Sequence, residues 1–178
     1  NPDGGDEPAH LYQLDPDTGA VIFDMDIPIH PYGAAVDGGT PQRLWLVSRE
    51  SGRIAAVRLD DHSVEGPFAP PNPDISGDPM HAAYGIAIDS AGRIWLGNSS
   101  HDLINGYDQA TGTWCQIDIG ASARGMAVRM NTDGSNTVYA AVSSSPGVIR
   151  YFDPDVPCVA NNIAASYCND WADELIHN

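Results

Sequence analysis

The stretch Tyr84 to Trp114, YGIAIDSAGRIWLGNSSHDLINGYDQATGTW, decides the fold. Tyr84-Gly-Ile-Ala-Ile-Asp89 is a short apolar run closed by an aspartate, and Ser90-Ala-Gly92 turns the chain. Arg93-Ile-Trp-Leu-Gly-Asn98 and Asp102-Leu-Ile-Asn-Gly-Tyr-Asp108 follow as two further runs. Such runs, rich in Ile, Leu and aromatics and broken by Gly and Asp, are strand chemistry. The alternation at Ile94 and Leu96 has the two-residue period of a strand.

The same pattern recurs on both sides. Tyr32-Gly-Ala-Ala-Val-Asp37 and Arg124-Gly-Met-Ala-Val-Arg129 match the first run. Arg43-Leu-Trp-Leu-Val-Ser48 and Thr137-Val-Tyr-Ala-Ala-Val142 match the second, and Gly52 to Asp60 and Gly147 to Asp153 match the third. The first runs start about 52 and then about 40 residues apart. Some forty residues is the length of one four-stranded propeller blade. The longer interval carries a Pro-rich insertion from Pro67 to Pro79, which reads as a surface loop between blades.

Leu14-Asp-Pro-Asp-Thr-Gly19 recurs as Tyr107-Asp-Gln-Ala-Thr-Gly112, and its start recurs at Phe152-Asp-Pro-Asp155. In each, the Asp can accept backbone N–H groups and the Gly supplies a positive φ, which predicts the hairpin between third and outermost strands. A calcium loop would need the DxDxDG spacing, which is absent.

The predicted fold is therefore an all-β propeller of about three and a half four-stranded blades. The chain enters at a third strand, His10 to Leu14, with an outer strand at Val21 to Ile27, and three blades begin after it. A half-propeller, or a piece of a six- to eight-bladed ring, fits this count better than a closed four-bladed ring. Residues 156–178 lack the Gly-apolar-apolar-Asp run and the Trp strand, and Trp171 to Ile176 reads as a short helix turn. Three segments follow: a polar linker over 1–8, blades over 9–155, and a Cys-containing C-terminal segment over 156–178.

Composition narrows the partners. The 178 residues carry 8 Lys+Arg, all arginine, against 24 Asp+Glu, for a formal charge of -16. Such a chain repels nucleic-acid phosphates and anionic membrane surfaces, and no apolar run is long enough to span a bilayer. Of the three cysteines, Cys158 and Cys168 lie close enough to close a small disulfide loop in an exported protein, leaving Cys115 as a buried strand thiol. The expected location is secreted, periplasmic or cell surface.

The repeat resembles those of the streptogramin-lyase-like (virginiamycin B lyase-like) propellers and of the wider NHL and gluconolactonase-like group. The likeness runs from Leu11 to Asp155. It implies a carbon–oxygen lyase that opens a cyclic depsipeptide antibiotic by elimination, using Mg and a His/Glu acid–base pair. That pair does not map residue by residue. Glu7, Glu65 and Glu174 fall in linker, loop and tail, which leaves Glu50 after the first Trp strand, next to Arg49.

In a propeller the innermost strand lines the central channel. The channel candidates are His30 and Tyr32, His81 and Tyr84, and Arg124, at the starts of the three inner strands. Neutral imidazoles converging there could hold a divalent ion, Mg or Ca, or move a proton; the competing reading has them capping loops. His30, His81 and Glu50 are thus the catalytic candidates, and no cofactor is fixed by the sequence. Trp45, Trp95 and Tyr139 recur at one place in the second strand and are expected to pack between blades. The functional expectation is a non-catalytic binding or assembly module. It would take a small-molecule or glycan ligand, and pair its open strand edges with a partner protein or the remainder of its own chain. The alternative is a virginiamycin B lyase-like, metal-dependent enzyme.

Overall fold

The computed structural model describes residues 8–71, 82–100, 102–143, 148–154 and 171–175. Fourteen strands and no helix occur among them. Strands β1 (Ala9–Leu14) and β2 (Val21–Ile27) form a two-stranded antiparallel sheet. Three four-stranded antiparallel sheets follow. The first holds β3 (Pro31–Val36), β4 (Arg43–Ser48), β5 (Ile54–Arg58) and β6 (Val64–Phe68). The second holds β7 (Ala83–Ile88), β8 (Arg93–Asn98), β9 (Leu103–Asp108) and β10 (Thr113–Asp118). The third holds β11 (Ala123–Met130), β12 (Asn136–Val142), β13 (Val148–Phe152) and β14 (Trp171–Leu175). Within each sheet the strands lie in chain order, so the architecture is a fan of three and a half propeller blades.

The C-terminal segment differs from the sequence expectation. Trp171–Leu175 is an outer strand, with Trp171 opposite Phe152 and Leu175 opposite Val148, not a helix turn. A single helical turn closes too few hydrogen bonds to offset its ordering, whereas pairing satisfies the open ladder of β13.

Three apolar clusters sit between successive blades. Ile27 and Ile29 meet Leu46, Ala55 and Val57. Trp45, Val47 and Ile54 meet Ala83, Ile94 and Leu96. Trp95, Ile104 and Ile117 meet Ala123, Val138 and Phe152. Each blade therefore buries one face against the next, and no cluster is complete within a single sheet.

An aspartate at the end of the inner strand ties two of these interfaces together. Asp37 Oδ1 accepts from the Arg43 N–H at 2.9 Å, and Oδ2 accepts from Trp45 Nε1 at 3.1 Å. Asp89 repeats this with the Arg93 N–H at 2.9 Å and Trp95 Nε1 at 3.0 Å. Both tryptophans are buried. The third blade has Arg129 opposite Thr137 at that place, and its aromatic, Tyr139, is only half-buried and lies 5.8 Å from Tyr151. The hairpin turns form as the sequence predicts: Asp15 Oδ1 accepts the Thr18 N–H at 2.7 Å, and Gly19 and Gly112 have φ of 70°.

Candidate ligand-binding surface

The inner strands β3, β7 and β11 stand side by side, and their first turns of ladder share one irregularity. Pro31 pairs with Ser48 and Gly33 with Val47, so Tyr32 has no partner. Ala83 pairs with Asn98 and Ile86 with Leu96, which leaves Tyr84 in the break. Ala123 pairs with Val142 and Gly125 with Ala141, which leaves out Arg124. Each inner strand thus has a register shift that takes in the residue before the glycine, and in β7 the break takes in Gly85 too. A bulge frees one residue from the ladder and re-aims its side chain.

The glycines let the strands close up. A Cβ on Gly33 would lie 2.7 Å from the Tyr84 carbonyl oxygen, and one on Gly85 would lie 2.5 Å from the Arg124 carbonyl oxygen. Neither site tolerates a side chain while the neighbouring inner strand stays in place. Close approach therefore sets Tyr32, Tyr84 and Arg124 in a row across three blades.

Their side chains meet. The rings of Tyr32 and Tyr84 have centroids 4.8 Å apart, edge to face at 65°. Arg49, in the turn after β4, places its guanidinium carbon 4.8 Å from the Tyr84 centroid and 5.9 Å from that of Tyr32. Arg124 places its own 5.7 Å from the Tyr84 centroid. These separations are within cation–π range. The Arg49 turn is held by Ser48, whose hydroxyl oxygen accepts the Glu50 N–H at 3.3 Å and the Ser51 N–H at 3.4 Å. In the next blade the place of Arg49 falls to Ser99, whose hydroxyl donates to the Ala82 carbonyl at 3.1 Å. Ser122 Oγ in turn donates to the Ser99 carbonyl.

The row is open to solvent. Tyr32 is 60% exposed, Tyr84 is half-buried, and Arg49 and Arg124 are exposed. Arg43, Arg58 and Arg93 each pair with carboxylates. Among the described residues neither Arg49 nor Arg124 has a carboxylate within ion-pair distance. The cations on this surface are held by aromatic faces instead.

The remaining candidates separate from it or extend it. His30 is exposed just before β3, and the ladder aligns it with Ala82. Glu50 is exposed beside Arg49. His81, Cys158 and Cys168 lie outside the described residues. Cys115 is an unpaired thiol on β10, and burial pushes it up to about 11. Among the described residues no three His, Cys, Asp or Glu side chains are arranged to hold a metal ion. Arg49 is the member of the surface that strand reading misses, because it reaches the row from a turn and touches the next blade's ring.

The opposite ends of the inner strands are different. A groove of about 500 Å³ lies there, lined by Asp37, Arg43, Asp89, Gly92 and Gln109. Its polar groups are engaged: Arg43 Nη1 donates to Gln109 Oε1 at 3.2 Å, and Gln109 Nε2 donates to the Gly92 carbonyl at 2.6 Å. Burial pushes the Asp37 carboxyl up, but the donors on it, the Arg43 N–H foremost, prevail and hold it below the usual carboxylate range. These carboxylates bind the fold.

No family model matches the chain, and no curated protein matches it in sequence. Solved structures do. Hydrazine synthase of Kuenenia stuttgartiensis superposes with a TM-score of 0.61 at 16% identity, over 92% of this chain and 42% of that one. BBS1N, solved in complex with ARL6DN, gives 0.61 at 15% identity, over 81% and 43%. Virginiamycin B lyase from Staphylococcus aureus gives 0.49 at 16% identity, over 83% and 45%. The chain spans less than half the length of each of these proteins. The likeness is one of fold, and that fold is the β-propeller.

Proposed function

We propose that this chain is a binding module of an exported or cell-surface propeller, and that the row Tyr32, Tyr84, Arg124 with Arg49 is its ligand surface. One observation carries the reading: each of the three inner strands has a register shift that takes in Tyr32, Tyr84 or Arg124, the corresponding position in each of three blades. Fold alone licenses no activity, so the argument rests on this surface. The export part rests on the Cys158 and Cys168 spacing and on the sequence resemblance.

The second surface is the free edge of β1. Among the described residues β1 pairs only with β2, whereas every other sheet has two strands inside the corresponding position. Beside it lies an apolar hollow of about 290 Å³ lined by Leu11, Phe23, Val36, Leu44 and Val57. By register, Leu44 and Val57 stand where Ile94 and Tyr107 receive Trp45 one blade later. The occupant is a pair of strands of this same repeat, from a partner or from the remainder of the chain, with an aromatic in the hollow.

The test is a defined panel of neutral oligosaccharides, short peptides, carboxylates and a streptogramin B depsipeptide, followed by tyrosine-ring NMR shifts. The reading predicts ligands that move the Tyr32 and Tyr84 signals and weaken on Tyr32→Ala. Ligands that bind while leaving both rings unmoved would contradict it. Ring opening of the depsipeptide would replace it with the lyase alternative.

A further inference from the structure

The binding surface has a charge that the chain as a whole does not. With 24 Asp+Glu against 8 Lys+Arg, some arginines are matched by carboxylates, while Arg49, Arg53, Arg124 and Arg129 have none within ion-pair distance among the described residues. Arg43 finds Asp37 and Glu65, Arg58 finds Asp60 and Asp61, and Arg93 finds Asp89 at 2.7 Å. Arg49 and Arg124 come from different blades and share one aromatic ring, at 4.8 Å and 5.7 Å from the Tyr84 centroid. A ring face holds a guanidinium in position without using its N–H donors. Each fork keeps its full donor capacity for a ligand.

We infer that this surface takes an oxyanionic ligand, a carboxylate or phosphoryl compound that meets the N–H donors of Arg49 and Arg124, with a planar body lying on the exposed Tyr32 ring. The inference rests on the binding reading above and names its ligand class. Guanidinium–oxyanion pairs are charge-assisted and often bidentate, and so orient what they hold. The net charge of -16 opposes any anion at long range, so binding here depends on the local donors of Arg49 and Arg124. Tyr32, 60% exposed and edge-on to Tyr84, offers a face for stacking a flat group.

The test compares three probes on the native chain: isophthalate, its neutral isostere isophthalamide, and inorganic phosphate. Affinity is read from tyrosine-ring shifts at low and high salt. We expect isophthalate to move Tyr32 and Tyr84, isophthalamide to leave them unmoved, and Arg49→Gln or Arg124→Gln to weaken isophthalate about tenfold each. Both arginines are exposed, so circular dichroism should show an unchanged fold. Phosphate that displaces isophthalate from the rings supports the oxyanion class and adds phosphoryl ligands to it. Equal binding of isophthalamide and isophthalate would overturn the oxyanion inference and leave the binding surface standing. No ring shift with either anion would also overturn it, while the wider ligand panel still decides the binding reading.

Discussion

The guanidinium carbon of Arg49 sits 4.8 Å from the centroid of the Tyr84 ring in the neighbouring blade. A turn of one blade thereby grips the inner strand of the next through a cation–π contact. Such contacts at exposed sites are worth about 0.5–1 kcal/mol. A double-mutant cycle between Arg49→Gln and Tyr84→Leu, followed by urea unfolding, should give a coupling of that size. Tyr84→Phe should keep it, because the ring face is retained. Additive single effects would show that the two groups are merely near each other.

The glycine beside each bulge has a steric role that substitution exposes. Gly85→Ala puts a methyl 2.5 Å from the Arg124 carbonyl oxygen and 2.7 Å from the Met126 nitrogen, both backbone atoms. Neither can step aside, so the cost should reach about 3 kcal/mol, the upper part of the overpacking range. Gly19→Ala meets nothing within 4 Å and is penalised only by its φ of +70°. That change should cost about 1 kcal/mol. Thermal or urea melts of the two variants give the comparison, and equal losses would refute the close approach of the inner strands.

Much of this was legible in the sequence, and the illegible parts share a cause. The recurring Gly-apolar-apolar-Asp run and the Trp strand locate the inner two strands of each blade, because their period and their turns are local properties. The Asp turn before Gly19 and Gly112 is local too. The register shifts at Tyr32, Tyr84 and Arg124 belong to a ladder between two strands, and no single strand's alternation reveals them. Arg49 reaches the next blade, and the contact depends on how blades stack. Trp171–Leu175 becomes a strand because the edge of β13 is open beside it, a tertiary circumstance that overrides a weak local preference. By ladder position His30 aligns with Ala82, and His81 lies outside the described residues.

The buried carboxyl of Asp37 should contribute to acid stability. The folded carboxyl of Asp37 is depressed, so it stabilises the native state above its unfolded value, and that contribution falls away as pH drops through the folded value. The melting temperature should therefore decline as pH falls below about 4, near the unfolded carboxylate value. Asp37→Asn should flatten that decline while lowering stability at neutral pH. Asp89→Ala strips the acceptor from Trp95 Nε1 and from Arg93 Nε at 2.7 Å, and should cost about 3 kcal/mol. Arg129→Ala, at the same place in the blade that lacks the aspartate, should cost under about 0.5 kcal/mol.

Cys115 should be chemically quiet. Burial raises its thiol to about 11, so little thiolate exists at neutral pH. Iodoacetamide at pH 8 should label it slowly in the native chain and rapidly in urea, as read by peptide mass mapping. The same maps, run without reductant, are expected to return Cys158 and Cys168 in one linked peptide. Fast native labelling of Cys115 would contradict its placement under Gly106 on β10.

The edge of β1 that has no partner among the described residues makes its own prediction. Amides of β1 that do not bond to β2 should exchange with deuterium far faster than those of β8, which is paired on both sides. Protection of those β1 amides after addition of a two-strand segment of the repeat would locate the pairing.

Three blades converge at one surface, and the distance between two rings measures that convergence most directly. With tyrosine rings protonated in an otherwise deuterated chain, and Tyr32→Phe used for assignment, the account predicts strong ring-to-ring NOE cross-peaks between Tyr32 and Tyr84, whose centroids lie 4.8 Å apart. A folded chain in which those two rings show no cross-peak would contradict it.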